Sequence, residues 1–425
     1  MTSGVRSTGG TRVPPVDRVE RTVLDNGLRV LTDSAPERAS VSLAAWVGVG
    51  SRDESDELAG ASHFLEHLLF KGTAERDARA IALAVDGVGG DMNAFTANEH
   101  TAFYASVPAS DADMAIDLLL DVLERPLLAE SELEAERHVI LEELAAAQED
   151  PDDQASVGLF EALFPGHPLG RETLGTPESI RSITRADVAG FFEHWYQPAN
   201  LVVAGAGNID HSRLLAEVQS RFGARPTGER PQRESPGSIV TPHVFLERPV
   251  ELTHLAVGWR TNGATSEDRY ALAVLNHVFG GGPSSILFQE IREARGLTYS
   301  VGSELSQHRD VGALSVHCAT LAQQGPQLLA LIEELAGRLA SNGIDGETLA
   351  HAKGAMRGGM VMGFESVVSR MTRLAAGETI IGKVTAVEEH LERIEAVTTA
   401  DVERVAATLF GSPRAVSVVG PADFS

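Results

Sequence analysis

Short runs in which apolar and polar residues alternate, broken by Gly, Asn or Pro, succeed one another with longer stretches of helical periodicity along this chain. Alternation at period two predicts half-buried strands, and recurrence near 3.6 predicts amphipathic helices. Residues 21–24 and 28–31 read as strands around Asp25-Asn26-Gly27, where Asn-Gly tolerates the positive φ of a tight hairpin. A longer strand follows over 41–49, then a helix over 57–70 in which Gly60, near the start, is the one breaker. Next come a helix over 78–85, the turn Gly87-Val88-Gly89-Gly90, and strands over 91–96 and 101–107. Those glycines do not read as a nucleotide loop, because no strand feeds them and no helix N-terminus follows. Helices over 111–123, 132–147 and 153–163 complete the first stretch.

The pattern then recurs. Ile183-Thr184-Arg185-Ala186-Asp187-Val188 returns as Val397-Thr398-Thr399-Ala400-Asp401-Val402, each copy leading into a helix and then a strand, 201–205 in one case and 415–420 in the other. Val41-Ser42-Leu43-Ala44-Ala45-Trp46 is echoed by Thr253-His254-Leu255-Ala256-Val257-Gly258-Trp259. Internal repetition on this scale predicts two related α+β domains, each an antiparallel-rich sheet packed against helices. The expected boundaries are a disordered leader over 1–16, a first domain over 17–223, a Pro/Gly/Arg/Glu-rich linker over 224–238 and a second domain over 239–425.

Composition narrows the function. With 425 residues, 43% hydrophobic and 22% charged, the chain reads as an ordinary globular protein of two or three domains. A net charge of -25 argues against nucleic acid as a partner; it suits basic peptides, although solubility alone accounts for an acidic surface. Cys318 is the only cysteine, so the chain forms no intrachain disulfide and any metal must be held by His and carboxylate. No apolar run is long enough to span a membrane and the N-terminus lacks an apolar signal core, which predicts a cytoplasmic protein.

Candidate chemistry sits in Ser62-His63-Phe64-Leu65-Glu66-His67-Leu68. On a helix His63 and His67 lie about 40° apart and Glu66 within about 60° of His63. Two neutral nitrogens at i and i+4, with a carboxylate able to take a proton from water, are what a catalytic zinc requires. A bland alternative is one packed and one solvated histidine on an amphipathic helix. A third ligand must come from elsewhere. Glu136 and Glu143, two helical turns apart in Glu136-Arg137-His138-Val139-Ile140-Leu141-Glu142-Glu143-Leu144, share one helix face, and could supply a ligand and an orienting partner or simply be solvated acids.

Four blocks now stand in order: H-F-L-E-H-L-L-F-K-G-T from His63, G-G-D-M-N-A-F-T-A-N-E-H-T from Gly89, E-R-H-V-I-L-E-E-L from Glu136 and G-H-P-L-G-R-E-T-L-G-T from Gly166. Together they resemble the pitrilysin/insulinase family of zinc metallopeptidases, nearest its mitochondrial-processing-peptidase-like bacterial branch. The resemblance implies His63, His67 and Glu143 as ligands of one Zn2+ per chain, Glu136 as an outer group orienting a ligand, and Glu66 as general base. It implies that Asn93-Ala94-Phe95-Thr96 borders the cleft as an edge strand that pairs with an extended substrate. It also implies that Arg292 and Tyr299, seven apart in the second half, bind the substrate backbone and help to stabilise the oxyanion; Arg295 stands at the wrong spacing. The second half carries Val274-Leu275-Asn276-His277 where the first has Phe64-Leu65-Glu66-His67, so it has no zinc motif, and His277 reads as a packed or capping residue. A zinc-dependent endopeptidase or oligopeptidase follows, as a homodimer with two competent sites acting on peptides or unfolded segments. The alternatives are a non-catalytic assembly subunit of a processing-peptidase-like complex and a purely structural zinc.

Overall fold

The computed structural model describes residues 18–424; the expected leader over 1–16 lies outside the described residues. Two sheets organise the chain. The first takes β1 (Val19–Val23), β2 (Arg29–Ser34), β3 (Ser40–Val47), β4 (Asp91–Thr96), β5 (Thr101–Pro108) and β6 (Leu201–Gly207), in the order β1-β2-β6-β3-β5-β4. The second takes β7 (His243–Glu247), β8 (Leu252–Asn262), β9 (Val301–Gln307), β10 (Val311–Leu321) and β11 (Arg414–Gly420), in the order β7-β11-β8-β10-β9. In each sheet a single neighbouring pair is parallel, β2 with β6 and β7 with β11, and every other pair is antiparallel. Remove β1 from the first sheet and the two orders become the same, so the repeat seen in the sequence is a repeat of topology. The echoed segments occupy β3 and β8, and the Thr-x-x-Asp copies form the same capping box at Thr184 and Thr398.

The helices are α1 (Ala61–Leu69), α2 (Ala78–Asp86), α3 (Ala112–Glu124), α4 (Glu130–Glu149), α5 (Pro151–Leu163), α6 (Pro177–Ser182), α7 (Arg185–Trp195) and α8 (His211–Phe222) in the first half. In the second they are α9 (Arg269–Gly280), α10 (Gly325–Asn342), α11 (Gly346–Gly363), α12 (Val367–Ala376), α13 (Val387–Ala396) and α14 (Thr399–Phe410). One face of each sheet carries helices of its own half: α1, α3 and α8 on the first sheet, α9, α10 and α14 on the second. The other face is covered from the opposite half. Helix α12 lays Met371, Leu374 and Ala375 over Leu31, Ala44, Trp46 and Val202, while α5 lays Leu159 and Leu163 over Ala256, Ala313 and Ala415. Burying both faces of a sheet in this way explains why β3 and β6 are apolar almost throughout rather than alternating.

Forked ion pairs, one buried and one half-exposed, fasten the exchange. Arg370, on α12, grips Asp33 of β2 through two hydrogen bonds of 3.0 and 2.7 Å. Arg21 holds Glu378 in the same forked manner at 2.9 and 2.8 Å. Residues 224–238 have no regular structure, yet they are pinned along the first half: Arg230 donates to the Ala199 carbonyl at 2.9 Å and Arg233 to Asp53 at 2.8 and 2.7 Å.

Candidate active site

The helix expected over 57–70 begins later, at Ala61. Residues 56–58 form a separate turn of 3-10 helix, and Gly60 takes φ +91 as the N-cap of α1. A Cβ there would lie 2.6 Å from both Ile180 Cδ1 and the Leu174 oxygen, so glycine is demanded by close approach as well as by φ. Because Gly60 offers no capping side chain, the carboxylate of Glu54 does so from outside, accepting from the N–H groups of Gly60 at 2.8 Å and Ser62 at 2.7 Å. Burial pushes the Glu54 carboxyl up to about 7, against the pull of those two backbone donors.

On α1 the helical spacing brings His63 and His67 side by side, ring centroids 4.6 Å apart. Helix α4 runs against α1 and supplies the carboxylates. The Nε2 atoms of both His63 and His67 lie 3.6 Å from Glu143 Oε2, and one donor atom from each residue falls within 4.8 Å of the others. A gap of 3.6 Å is too long for a hydrogen bond, but it is near the edge of a tetrahedron of ligands about 2.0–2.1 Å from a zinc ion, roughly 3.3 Å. Burial, and secondarily the neighbouring His67, push the His63 ring down to about 4, keeping it neutral with a lone pair to give. The donor set therefore fits zinc. Glu142, the neighbouring acid, is exposed.

Glu136 sits two turns from Glu143 and is buried. Its Oε2 accepts from His67 Nδ1 at 2.8 Å, since a carboxylate can only accept, and its Oε1 takes the Lys71 ammonium at 2.7 Å. Burial alone would raise this carboxyl; Lys71 and His67 outweigh it and hold it below the usual range. His67 is thereby fixed in the tautomer whose Nε2 lone pair faces Glu143. Lys71 was missed from sequence, although it lies one turn beyond His67 and so on the same side of the helix.

Glu66 is raised by burial, partly offset by the Thr96 hydroxyl, which donates to its Oε2 at 2.6 Å. Thr96 ends β4, the strand of the expected cleft-bordering residues Asn93, Ala94, Phe95 and Thr96, and β4 lies at one edge of the first sheet, opposite β1. Ala94 faces the core, Asn93 is exposed, and Phe95 is 39% exposed, edge-on to Trp46 at 5.6 Å.

Arg292 and Tyr299 come together in the second half, the guanidinium 5.0 Å from the Tyr299 ring centre and 4.6 Å from that of Phe288. Neither makes a hydrogen bond or ion pair with His63, Glu66, His67 or Glu143. Tyr299 is 85% exposed. It lines an open cleft of about 740 Å³ with Asp152, His254, Glu304 and His317. Arg295 is spent on Glu290. His277 is half-buried, its carbonyl accepting from Gly281 at 3.2 Å at the end of α9. His63, His67 and Glu143 are the one group among the described residues arranged to hold a metal.

Comparison with known proteins gives two family matches: Insulinase (Peptidase family M16) over residues 29–177 and Peptidase M16 inactive domain over residues 182–356. An uncharacterized zinc protease of Mycobacterium tuberculosis is 45% identical over 406 residues, covering 94% of this chain and 93% of its own. One of Bacillus subtilis is 35% identical over 404 residues, covering 95% and 98%. Among solved structures, a peptidase M16 inactive domain from Pseudomonas fluorescens superposes with a TM-score of 0.88 at 22% identity, over 96% of this chain and 99% of that one. A protease from Helicobacter pylori gives 0.87 at 21% identity, over 96% and 100%. At these identities the structural likeness is one of fold.

Proposed function

The chain belongs to the insulinase family, peptidase family M16, and from that premise we propose that it is a zinc-dependent endopeptidase or oligopeptidase hydrolysing peptides or unfolded segments. The observation that carries this reading is the closure of His63, His67 and Glu143 to within 4.8 Å around a common point, with Glu66 on the same helix. His63, His67 and Glu143 would hold one zinc ion. Bound there, zinc supplies Lewis acidity, making water a better nucleophile and the scissile carbonyl a better electrophile. Glu66 takes the proton of the attacking water and delivers it to the leaving amine; its partial burial favours that exchange by bringing its pKa nearer to neutrality. Glu136 and Lys71 hold the His67 ring in place. The free edge of β4 offers backbone groups to an extended peptide, which brings substrate alongside Thr96 and so alongside the base.

Arg292 and Tyr299, both donors suited to an oxyanion, complete the proposed site. The exposure of Tyr299 and the lack of contact between this pair and the proposed zinc ligands support a site finished by a second copy of the chain, hence a homodimer with two sites. A cytoplasmic location belongs to the same proposal; cell fractionation checks it.

Hydrolysis of a quenched-peptide library by wild type and Glu66→Gln, with zinc quantified in both, tests the chemistry. Cleavage by wild type alone, with zinc in both, is the expected result; zinc without cleavage in wild type would favour a non-catalytic assembly subunit. Mixing and re-equilibrating Glu66→Gln with Tyr299→Phe tests the dimer. Sites shared between protomers predict recovery of about a quarter of wild-type turnover, from half the dimers carrying one intact site each. Sites contained within one chain predict none.

A further inference from the structure

His63, the first ligand on α1, stands in the first turn of a helix of 9 residues. First turns fray, because their N–H groups have no partners within the helix. Something outside the helix has to hold that turn if His63 is to stay aligned with His67 and Glu143, and the group that does so is Glu54, buried and bonded to the N–H groups on either side of Ala61. The two residues before Glu54 are anchored as well, Asp53 to the segment that joins the halves and Arg52 to that segment and to the second half. Asp53 accepts two hydrogen bonds from Arg233, in the segment that joins the halves. Arg52, with its side chain only 2% exposed, donates to Glu99 at 2.7 Å, to Asp310 at 2.6 and 3.0 Å and to the Glu234 carbonyl at 2.6 Å. Asp310 belongs to the β9–β10 turn of the second half, and Glu99 to the turn that follows β4; the N–H of Arg309 closes the loop on Glu99 at 2.8 Å.

We propose that the turn Arg52-Asp53-Glu54 is the junction through which the second half holds the metal-bearing helix in register, with Glu54 as a positioning residue for the metal centre. The proposal rests on the reading of His63, His67 and Glu143 as a zinc site. Arg52 and Glu54 are two residues apart on one tight turn, so a shift of the β9–β10 turn displaces Glu54 with it. Glu99 ties the end of the edge strand to the same point, so the helix, the edge strand and the second half meet where the buried Arg52–Glu99 pair reaches Asp310 at the surface. The Arg52–Glu99 pair, buried on both sides, is costly to break on one side, because the remaining partner keeps its charge without compensation.

Zinc affinity, measured by chelator competition on the purified full-length chain, tests the proposal, with the absorption spectrum of the cobalt-substituted protein reporting ligand geometry. Glu54→Ala is expected to weaken zinc binding by about tenfold or more and to alter the cobalt spectrum. Glu54→Gln, which keeps one acceptor oxygen, should fall between it and wild type, and it carries the test if the alanine variant fails to fold. Asp310→Asn, far along the chain from every ligand, should weaken zinc in the same direction. Leu335→Ala, a truncation on α10 within the second half's own core and away from the seam between the halves, serves as the control for lost stability and should leave zinc affinity unchanged. Equal zinc affinity and spectra in Glu54→Gln, Glu54→Ala and wild type would overturn the proposal, and an unchanged Asp310→Asn would overturn the second half's share in it. Failure of wild type itself to bind zinc would overturn the reading of the site, and the proposal with it.

Discussion

The Thr96 hydroxyl bears on how strongly Glu66 holds its proton. By donating to the carboxylate at 2.6 Å it favours the ionised form, while burial favours the neutral one and prevails. Thr96→Val keeps the shape and removes the donor. Glu66 then loses an influence that lowers its pKa, so its basic form is reached only at higher pH. The acid limb of the kcat/KM profile is expected to move to higher pH, with turnover at neutral pH falling by up to about tenfold. An unmoved acid limb would show that Glu66 is not the group titrating there. The second half shows what this contact is without the chemistry: Asn276, standing where the first half has Glu66, accepts from Ser303 of the edge strand β9 at 2.7 Å. Both halves tie this helix position to the free edge strand, and only the first places an acid there.

Helix α1 starts from a backbone conformation that only glycine adopts readily. Gly60→Ala forces an L side chain to φ +91 and drives its Cβ into Ile180 and the Leu174 carbonyl. A loss of about 2 kcal/mol or more in chemical denaturation is expected; a loss below about 0.5 kcal/mol would mean that the loop relaxes at no cost. The same glycine marks where sequence reading reached its limit. The choice of Glu143 as third ligand came from the resemblance; His63 and His67 with Glu66 beside them, the shared face of Glu136 and Glu143, and the strands around them were legible because helical spacing and alternation are local. The true start of α1 was not, since Gly60 near a helix end reads as a tolerated breaker until Ile180 and Leu174, more than a hundred residues on, are seen against it. Lys71 and Glu54 escaped for a related reason: each acts through a contact, with Glu136 or with two backbone N–H groups, that spacing along one helix does not display. The pairing of Arg292 with Tyr299 followed from the resemblance, whereas the exposure of Tyr299 is a property of the folded chain.

At the scale of the whole molecule, the exchange of α5 and α12 makes each half the missing layer of the other. Sheets with one face bare would expose apolar strands such as β3 and β6, so neither half is expected to be stable alone, and the two should unfold as one unit. Leu374, fully buried on α12, fills the back of the first sheet against Leu31, Trp46 and Val202 although it belongs to the second half by chain position. Leu374→Ala leaves a cavity at that seam and is expected to cost about 2–5 kcal/mol. The informative readout is where the loosening is felt. Amide hydrogen exchange should quicken in β3 and β6 of the first half at least as much as in α12 itself, because these strands lose their cover and open with the helix. Quickening confined to the second half would mean that α12 lies on the first sheet without supporting it, and that the halves are stable independently of one another.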